Sequence, residues 1–594
     1  MSVVEDEVAG AGPVDAAAVF ERWFTEFRAA LTARKAASLK ELLLPGAWWR
    51  DMVALDWRMS SHNTPDTIAE FICNAPVSVI DLEIDYGFGP LLTPAESGAS
   101  LVEGFYRFET EDLNGRGHVR LMQGTDGGWR AWTVLTEGRE LKGRPLAVRH
   151  RRPSPSGRAT EIPWHIERAR LLSYDRPDPQ VVIVGGAQNG LGLAATLGLM
   201  GVDALVIDKS VRVGDVWRNR YESLVLHAPV YSDHLPHFPF PENWPVYSPA
   251  RKYADWLESY SKAMEINVWN SCEVLSAAYD ETSGKWTIAV HTPEGERTLH
   301  PGHLVVATGS SSEPLMPTFP GQNTFKGSVI HSNEHQTGQG WDGRKVVVIG
   351  AGTSAHDVAE DFYHGGADVA MVQRSPTYVC SRDNGNKILF ESAYSEDAPP
   401  LEYSDLRADS IPWPLLLELA IGQTEAIAAV DRAMLDGLER ANFKVIMGDP
   451  EIGDRSGLMA CGARPGGPGG YYINQGASDL IIEGKIAIHA GVGLDHFTEE
   501  GVVLTDGTEL QADRVILATG YRSMRDTSRK YLGDKVVDQT ETFYGITEFN
   551  ERGLIHQPSG YPHLWYAGGG IIEVRRYGTT LALQIAAQLD GLSG

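Results

Sequence analysis

Two glycine-rich turns, each set between a run of apolar β-formers and a helix-like run, constrain this chain more than any other feature. The first is Val181-Val182-Ile183-Val184-Gly185-Gly186-Ala187-Gln188-Asn189-Gly190, followed by Leu205-Val206-Ile207-Asp208. The second is Val346-Val347-Val348-Ile349-Gly350-Ala351-Gly352-Thr353-Ser354-Ala355, followed by Ala370-Met371-Val372-Gln373-Arg374-Ser375. A buried strand that turns sharply into a helix aims backbone N–H groups and the positive helix end at a pyrophosphate. The residue after the next strand then tests the ribose. Asp208, eighteen residues past Gly190, is placed to accept hydrogen bonds from a 2′-hydroxyl. At the equivalent place the second unit has no carboxylate and offers Arg374, which suits a 2′-phosphate. The pairing predicts FAD at the first turn and NADPH at the second, and therefore redox chemistry. The expected contacts are Gly185, Gly186, Ala187, Asn189, Gly190, Asp208 and Lys209 for FAD, and Gly350, Gly352, Thr353, Ser354, Arg374 and Ser375 for NADPH.

Each turn departs slightly from the fingerprint. Ala187 stands where the middle glycine lets backbone approach the pyrophosphate, and Ala355 closes the second turn in place of glycine, an allowed variant. Glycine-rich turns also join strands to helices in α/β proteins that bind no nucleotide. Two of them with opposite ribose chemistry in one chain favour the nucleotide reading.

A chain of 594 residues is too long for one core and should form about three or four domains. Its formal net charge of −26 argues against nucleic acid and anionic lipid as partners. Cys73, Cys272, Cys380 and Cys461 lie far apart with no CxxC pair, which fits reduced thiols and excludes a closely spaced redox dithiol. Residues 1–12 lack the basic and apolar regions of a signal peptide, and no apolar run reaches the ~20 residues of a membrane span. A soluble cytoplasmic enzyme is expected.

The expected fold is α/β, with two Rossmann-like dinucleotide-binding domains, the second inserted in the first, preceded by an α+β domain. In residues 14–138, Phe20, Trp23, Phe24, Phe27 and Leu31 recur at helical spacing, and strand-like runs follow at 77–84, 101–108, 118–122 and 129–135. Helices followed by a curved sheet resemble the NTF2-like (SnoaL-like) cone. The aromatic stripe is expected to pack against the rest of the chain or a second copy, which leaves a homodimer open. Asp51, Asp56 and His62 read as surface or packing-satisfied groups ahead of a catalytic set. A basic, proline-containing linker, 139–177, reads as a solvated connector despite Arg149, Arg151 and Arg152. The FAD domain then spans 178–342 and 499–594, with the NADPH domain at 343–498 between them. Three strand-to-small-residue turns bring backbone close to the nucleotides: Ala307-Thr308-Gly309, Ala518-Thr519-Gly520-Tyr521 and Gly568-Gly569-Gly570, of which Gly569 is the expected contact. The N-terminal domain is expected to be accessory, since every nucleotide-matched residue lies beyond it.

Gly214-Asp215-Val216-Trp217-Arg218 resembles the GG-x-W element of flavin-containing monooxygenases, and Phe325-Lys326-Gly327-Ser328-Val329-Ile330-His331-Ser332 resembles their FxGxxxH signature. With the turns above, the resemblance runs in the family's order from about residue 178 to the C-terminus. It implies cofactor roles for Trp217, Arg218 and His331, the last at the junction of the two domains. In the Baeyer–Villiger branch a Trp follows the signature histidine by four residues; here that position is His335, which counts against that branch. Leu226-His227-Ala228-Pro229 is closer to the plant auxin-forming (YUCCA-type) group, and by that resemblance His227 is the candidate catalytic donor to flavin or peroxide, with a structural imidazole as the equal alternative. The activity implied is a monooxygenase that uses NADPH, FAD and O2, works through a flavin C4a-(hydro)peroxide and needs no metal. A Baeyer–Villiger enzyme acting on a ketone, a non-oxygenating NADPH–flavin reductase and a scaffold with a fossil flavin site are the rivals. The motifs leave open whether a small substrate is oxygenated at nitrogen, sulfur, a carbonyl carbon or an α-keto acid.

Overall fold

The computed structural model describes residues 14–94, 100–154, 162–391 and 393–593. The expectation for residues 1–12, and the part of the connector that holds Pro155, lie outside these.

The N-terminal domain opens with helix Ala16–Thr32, capped by the Asp15 carboxylate, which accepts from the Ala18 N–H. Its stripe of Phe20, Trp23, Phe24, Phe27 and Leu31 is buried. The stripe meets Val102, Val119 and Val134 of the domain's own seven-stranded sheet rather than another domain or a second copy, as the sequence suggested. The sheet offered an apolar face close by in sequence, and the helix buried itself there. Gly104 makes room: a Cβ at this position would strike the Phe20 ring. One strand reading changes. Residues 77–80 precede strand Asp81–Asp85 instead of belonging to it, and strand Leu43–Met52 comes before all the expected runs. The last strand, Trp129–Leu141, runs past the expected boundary at 138.

The opposite face of this sheet is the surprise. Glu103, Phe105 and Arg107 on one strand, and Arg116, His118 and Arg120 on the next, alternate with core residues and so read as a solvent face. All but Arg107, which stays exposed beside Asp85, pack instead on helix Leu401–Asp409 and the residue after it. Arg116 reaches Glu402, and Arg120 and His118 meet Ser410 just past the helix end. Arg50 is fully buried and makes a two-pronged ion pair with Glu551, at 2.7 and 2.6 Å. Met52, Phe105 and Leu135 join one apolar core with Leu191, Leu581 and Ile585. The N-terminal domain is thus packed into the body rather than tethered to it by the connector alone.

Each glycine turn sits in its own five-stranded parallel sheet. The first has strand order Asn267–Trp269, Ala204–Ile207, Val181–Val184, His303–Val306, Leu564–Tyr566. The second has the order Ser328–His331, Arg514–Leu517, Lys345–Ile349, Asp368–Gln373, Ile486–Ala490. Strands Ser328–His331 and Arg514–Leu517 therefore extend the second sheet on both sides of the expected 343–498 span. Val515, Ile516 and Leu517 are wholly buried, as a strand with parallel neighbours on both edges requires. C-terminal helix Ile571–Leu589 packs on helix Gln188–Leu199 of the first unit. No helix among the described residues is long and apolar enough to cross a membrane.

Candidate active site: a cavity shared by two glycine turns

Both turns are built alike. Gly185 and Gly350 have φ of +117° and +134°, a region that favours glycine. A Cβ on Gly185 would run into the Ala307 carbonyl, and one on Gly350 into that of Ala518 at 2.5 Å. Ala307 and Ala518 open the two Ala-Thr-Gly turns, so each is the backstop of one glycine loop. The helices that follow, Gln188–Leu199 and Thr353–His364, begin at Ala187 and Gly352 with no side chain capping them. Their first N–H groups stay available to an anion. Gly190 is needed for closure, because a Cβ there would overlap the Gly185 carbonyl; Ala355 fills the equivalent position, buried.

The ribose-testing residues behave differently. Asp208 lies behind its loop and accepts from the N–H groups of Gly186 (2.5 Å) and Ser210 (2.7 Å). Arg374 is exposed on the cavity wall beside Ser375, with no carboxylate in ion-pairing reach among the described residues.

Both turns open onto one cavity of about 1810 Å³. Ala187, Asn189, Thr308, Gly309, Gly569 and Trp217 line it from the first unit, and Gly350, Gly352, Thr353, Ser354, Ala518, Thr519, Gly520 and Tyr521 from the second. That volume exceeds the ~300–1,000 Å³ of an ordinary ligand pocket and suits more than one occupant. Its charge inverts that of the chain: Arg50, Arg120, Arg220, Arg374, Arg407, Arg464, Arg552 and Arg576 line it against Glu103, Asp233 and Glu573. Two buried acceptors of the first unit, Asn189 Oδ1 and Thr308 Oγ1, have no protein partner. Orphaned polar atoms on a cavity wall fit a polar occupant, and the free helix ends and Arg374 fit dinucleotide phosphates.

Other expected residues are placed less directly. Gly185, Gly186, Gly190 and Ala307 shape the loop from behind, and Asp208 and Lys209 stand off the cavity wall. Arg218 does not reach the cavity, because its guanidinium is held by Asp215, Asp255 and Glu258. Two positions on, Arg220 does reach it, donating to Asn333 Oδ1 and towards the Tyr521 hydroxyl, a bridge the sequence reading missed. His331 is fully buried off the wall: its Nδ1 accepts from the Asn333 N–H and its Nε2 meets the Gly520 carbonyl at 3.0 Å. With both nitrogens engaged it braces the 518–521 turn and has nothing left for a cofactor. His335 pairs with Asp361 at 2.6 Å. Asp51 accepts from the Leu55 and Ala54 N–H groups and from Thr136, and His62 stacks on Phe71, so both are satisfied by packing.

His227 lines the cavity where the two units meet. Its Nε2 lies 2.6 Å from Gln475 Nε2, and its carbonyl accepts from Asn386. Burial, helped by the charge of Arg382, pushes its pKa down to about 4. A neutral ring accepting from Gln475 at Nε2 carries its proton on Nδ1. Beside it Asp357, fully engaged by the Tyr221 hydroxyl, is pushed up to about 7 by burial. All four cysteines are free, and no cluster that could hold a metal occurs among the described residues.

Two sheets that present uncapped helix ends to one basic cavity define an oxidoreductase fold for two dinucleotides. The model of the flavin-binding monooxygenase-like family matches residues 180–394. The indole-3-pyruvate monooxygenase YUCCA1 of Oryza sativa subsp. japonica is 31% identical over 405 residues, which cover 67% of this chain and 86% of that relative. The probable indole-3-pyruvate monooxygenase YUCCA8 of Arabidopsis thaliana is 33% identical over 349 residues, 58% of this chain and 74% of the relative. A solved flavin-containing monooxygenase from Stenotrophomonas maltophilia is 18% identical, with 70% of this chain and 100% of that one covered at a TM-score of 0.45. The chain belongs to the flavin-binding monooxygenase-like family. It is an oxidoreductase of the flavin monooxygenase class, with FAD and NADPH as the family's cofactors.

Proposed function

We propose that the first glycine turn holds FAD, the second holds NADPH, and the cavity between them transfers one oxygen atom from O2 to a small organic acceptor. One observation carries this reading: two uncapped helix N-termini and an unpaired Arg374 face a single cavity. Bound FAD and NADPH supply the redox chemistry that activates O2. The chain's own residues bind and orient. Ala187 and Gly352 present helix N–H groups to the two pyrophosphates, Asn189 and Thr308 offer their free acceptors to FAD, and Arg374 with Ser375 selects the 2′-phosphate. His227 keeps a proton on Nδ1, the one ring atom it has left to donate towards the reacting centre. The names of the relatives carry indole-3-pyruvate, which makes the YUCCA-like branch, and an α-keto acid acceptor, the first to try. The N-terminal helix wrapped by a curved sheet supports an NTF2-like cone, and four free cysteines support a cytoplasmic setting.

The test is to purify the protein, add NADPH under 18O2 with indole-3-pyruvate or thioanisole, and read the product by mass spectrometry. The expected result is flavin absorbance that bleaches with NADPH, and a product carrying one 18O atom. A flavin that bleaches without labelling any product would make the chain a reductase; a protein without flavin would overturn the reading.

A further inference from the structure

The far end of the cavity is closed by the N-terminal domain, which contributes Leu101, Met122 and Trp132 to the wall opposite Ile411. Leu101 and Met122 lie on the neighbouring strands Ser100–Glu109 and Leu113–Gln123 and line the cavity. Leu101, Met122 and Trp132 make an apolar patch in that wall, beside the charged residues Glu103, Arg120 and Arg407. Arg407, from helix Leu401–Asp409, donates through Nε and Nη2 to both oxygens of Glu103, at 3.1 and 3.2 Å. Its carbonyl accepts from Arg120 Nη2 at 2.9 Å and from the Ser410 hydroxyl at 2.8 Å. Ser410 is itself in contact with His118 Nδ1, whose Nε2 meets Glu103. This Ser–His–Glu line resembles a hydrolytic triad, but Ser410 is completely buried and off the wall, so it serves as bracing.

Two consequences follow for Arg407. Arg407 lines the cavity with Nε and Nη2 held by Glu103, and no hydrogen bond of its Nη1 occurs among the described residues. The cluster also holds one carboxylate, Glu103, against two guanidiniums, Arg120 and Arg407, so a positive charge is left beside an apolar wall. An arginine with a fixed fork and a spare donor suits a carboxylate.

Resting on the function proposed above, we infer that this end is the acceptor subsite, built jointly by the N-terminal domain and helix Leu401–Asp409, and that it takes a small carboxylate with an apolar body. Arg407 anchors the acid, and Trp132 and Met122 cover the apolar part. The N-terminal domain thereby sets which acceptors enter.

Binding of 3-phenylpropionate and of its uncharged amide to the full-length protein, loaded with FAD and NADP+, is measured by titration calorimetry. We expect the acid to bind about tenfold more tightly than the amide, as a charge-assisted contact gives. Arg407→Gln should abolish that preference, while Trp132→Ala should weaken acid and amide alike by about tenfold, the effect of losing an aromatic wall. Trp132 is half-buried and outside the ion-pair network, so its variant tests the wall even if Arg407→Gln fails to fold. Equal binding of acid and amide to the wild type, no binding of either, or an unaltered Trp132→Ala protein would overturn the inference. NADPH-driven bleaching of flavin in the same preparation reports separately on the underlying function: its loss would sink that reading, and its persistence confines any failure to the subsite.

Discussion

At the first glycine turn the acid lies behind the loop, Asp208 being bonded to Gly186 and Ser210 N–H groups, whereas at the second the base stands out on the cavity wall. The backbones are nearly interchangeable: positive-φ glycines backed by alanine carbonyls, uncapped helix starts, and an Ala-Thr-Gly turn at the next strand. Under the proposed function, the shared backbone would make both turns phosphate receivers, and one side chain per turn would separate their ligands. The contrast also shows different work. Asp208 holds its own loop in shape, while Arg374 has no ion-pair partner among the described residues and stands on the cavity wall.

The largest expected effect lies outside both turns and asks whether they depend on the N-terminal domain. Glu551→Ala takes from the buried Arg50 its two-pronged partner and leaves only Asp409 beside Nη1, which should destabilise the protein by about 3 kcal/mol in chemical denaturation. Flavin should be lost along the same denaturation curve, since Arg50 also lines the cavity. Separate transitions for the N-terminal domain and the flavin would restore the tethered arrangement that the sequence suggested.

Next, Asp208→Ala should lower flavin retention by about 1.5–3 kcal/mol, the worth of hydrogen bonds to a charged group, while NADPH binding stays near its original level. Because Asp208 also braces Gly186, Asp208→Asn should recover part of the loss. Flavin content per polypeptide after gel filtration measures both variants, and full occupancy in Asp208→Ala would mean that the first turn has been misassigned.

A smaller effect comes from pH. Burial, with the charge of Arg120, lowers His118 to about 4 against the pull of Glu103. The folded state then binds fewer protons than the unfolded chain between pH 4 and its ordinary value near 6.5. The stability this lends is complete above pH 6.5 and is lost as pH falls towards 4. Between pH 7 and 5 the loss should be about 1–2 kcal/mol. His118→Gln should flatten that part of the profile; an identical slope would mean that the ring titrates in the native state as it does in the unfolded chain.

What could be read from sequence was local. A valine-rich strand, a glycine turn and the next strand's last residue lie within about 30 residues of one another, and both nucleotide units follow from that spacing. Two strands of the second sheet fell outside its expected span because Ser328–His331 and Arg514–Leu517 pair across a long separation in the chain. The interface was not legible for a physical reason: alternating Glu103, Arg116, His118 and Arg120 is what a strand facing water shows. Only partners some 290 residues away turn it into a buried, charge-paired contact. Arg218 and Arg220 illustrate the same limit at short range. Both are arginines after a matched motif, and only the positions of Asp255 and Glu258 decide which one is taken up in salt bridges and which reaches the cavity.

The central claim, that the second turn selects NADPH through Arg374, is tested most directly by anaerobic flavin reduction in a stopped-flow spectrometer, with NADPH and NADH on wild type and Arg374→Ala. The account predicts that the wild type prefers NADPH by roughly ten- to a hundredfold, about 1.5–3 kcal/mol, and that Arg374→Ala removes most of this preference by weakening NADPH alone. Equal use of the two nucleotides by the wild type, or an unchanged preference in Arg374→Ala, would contradict it.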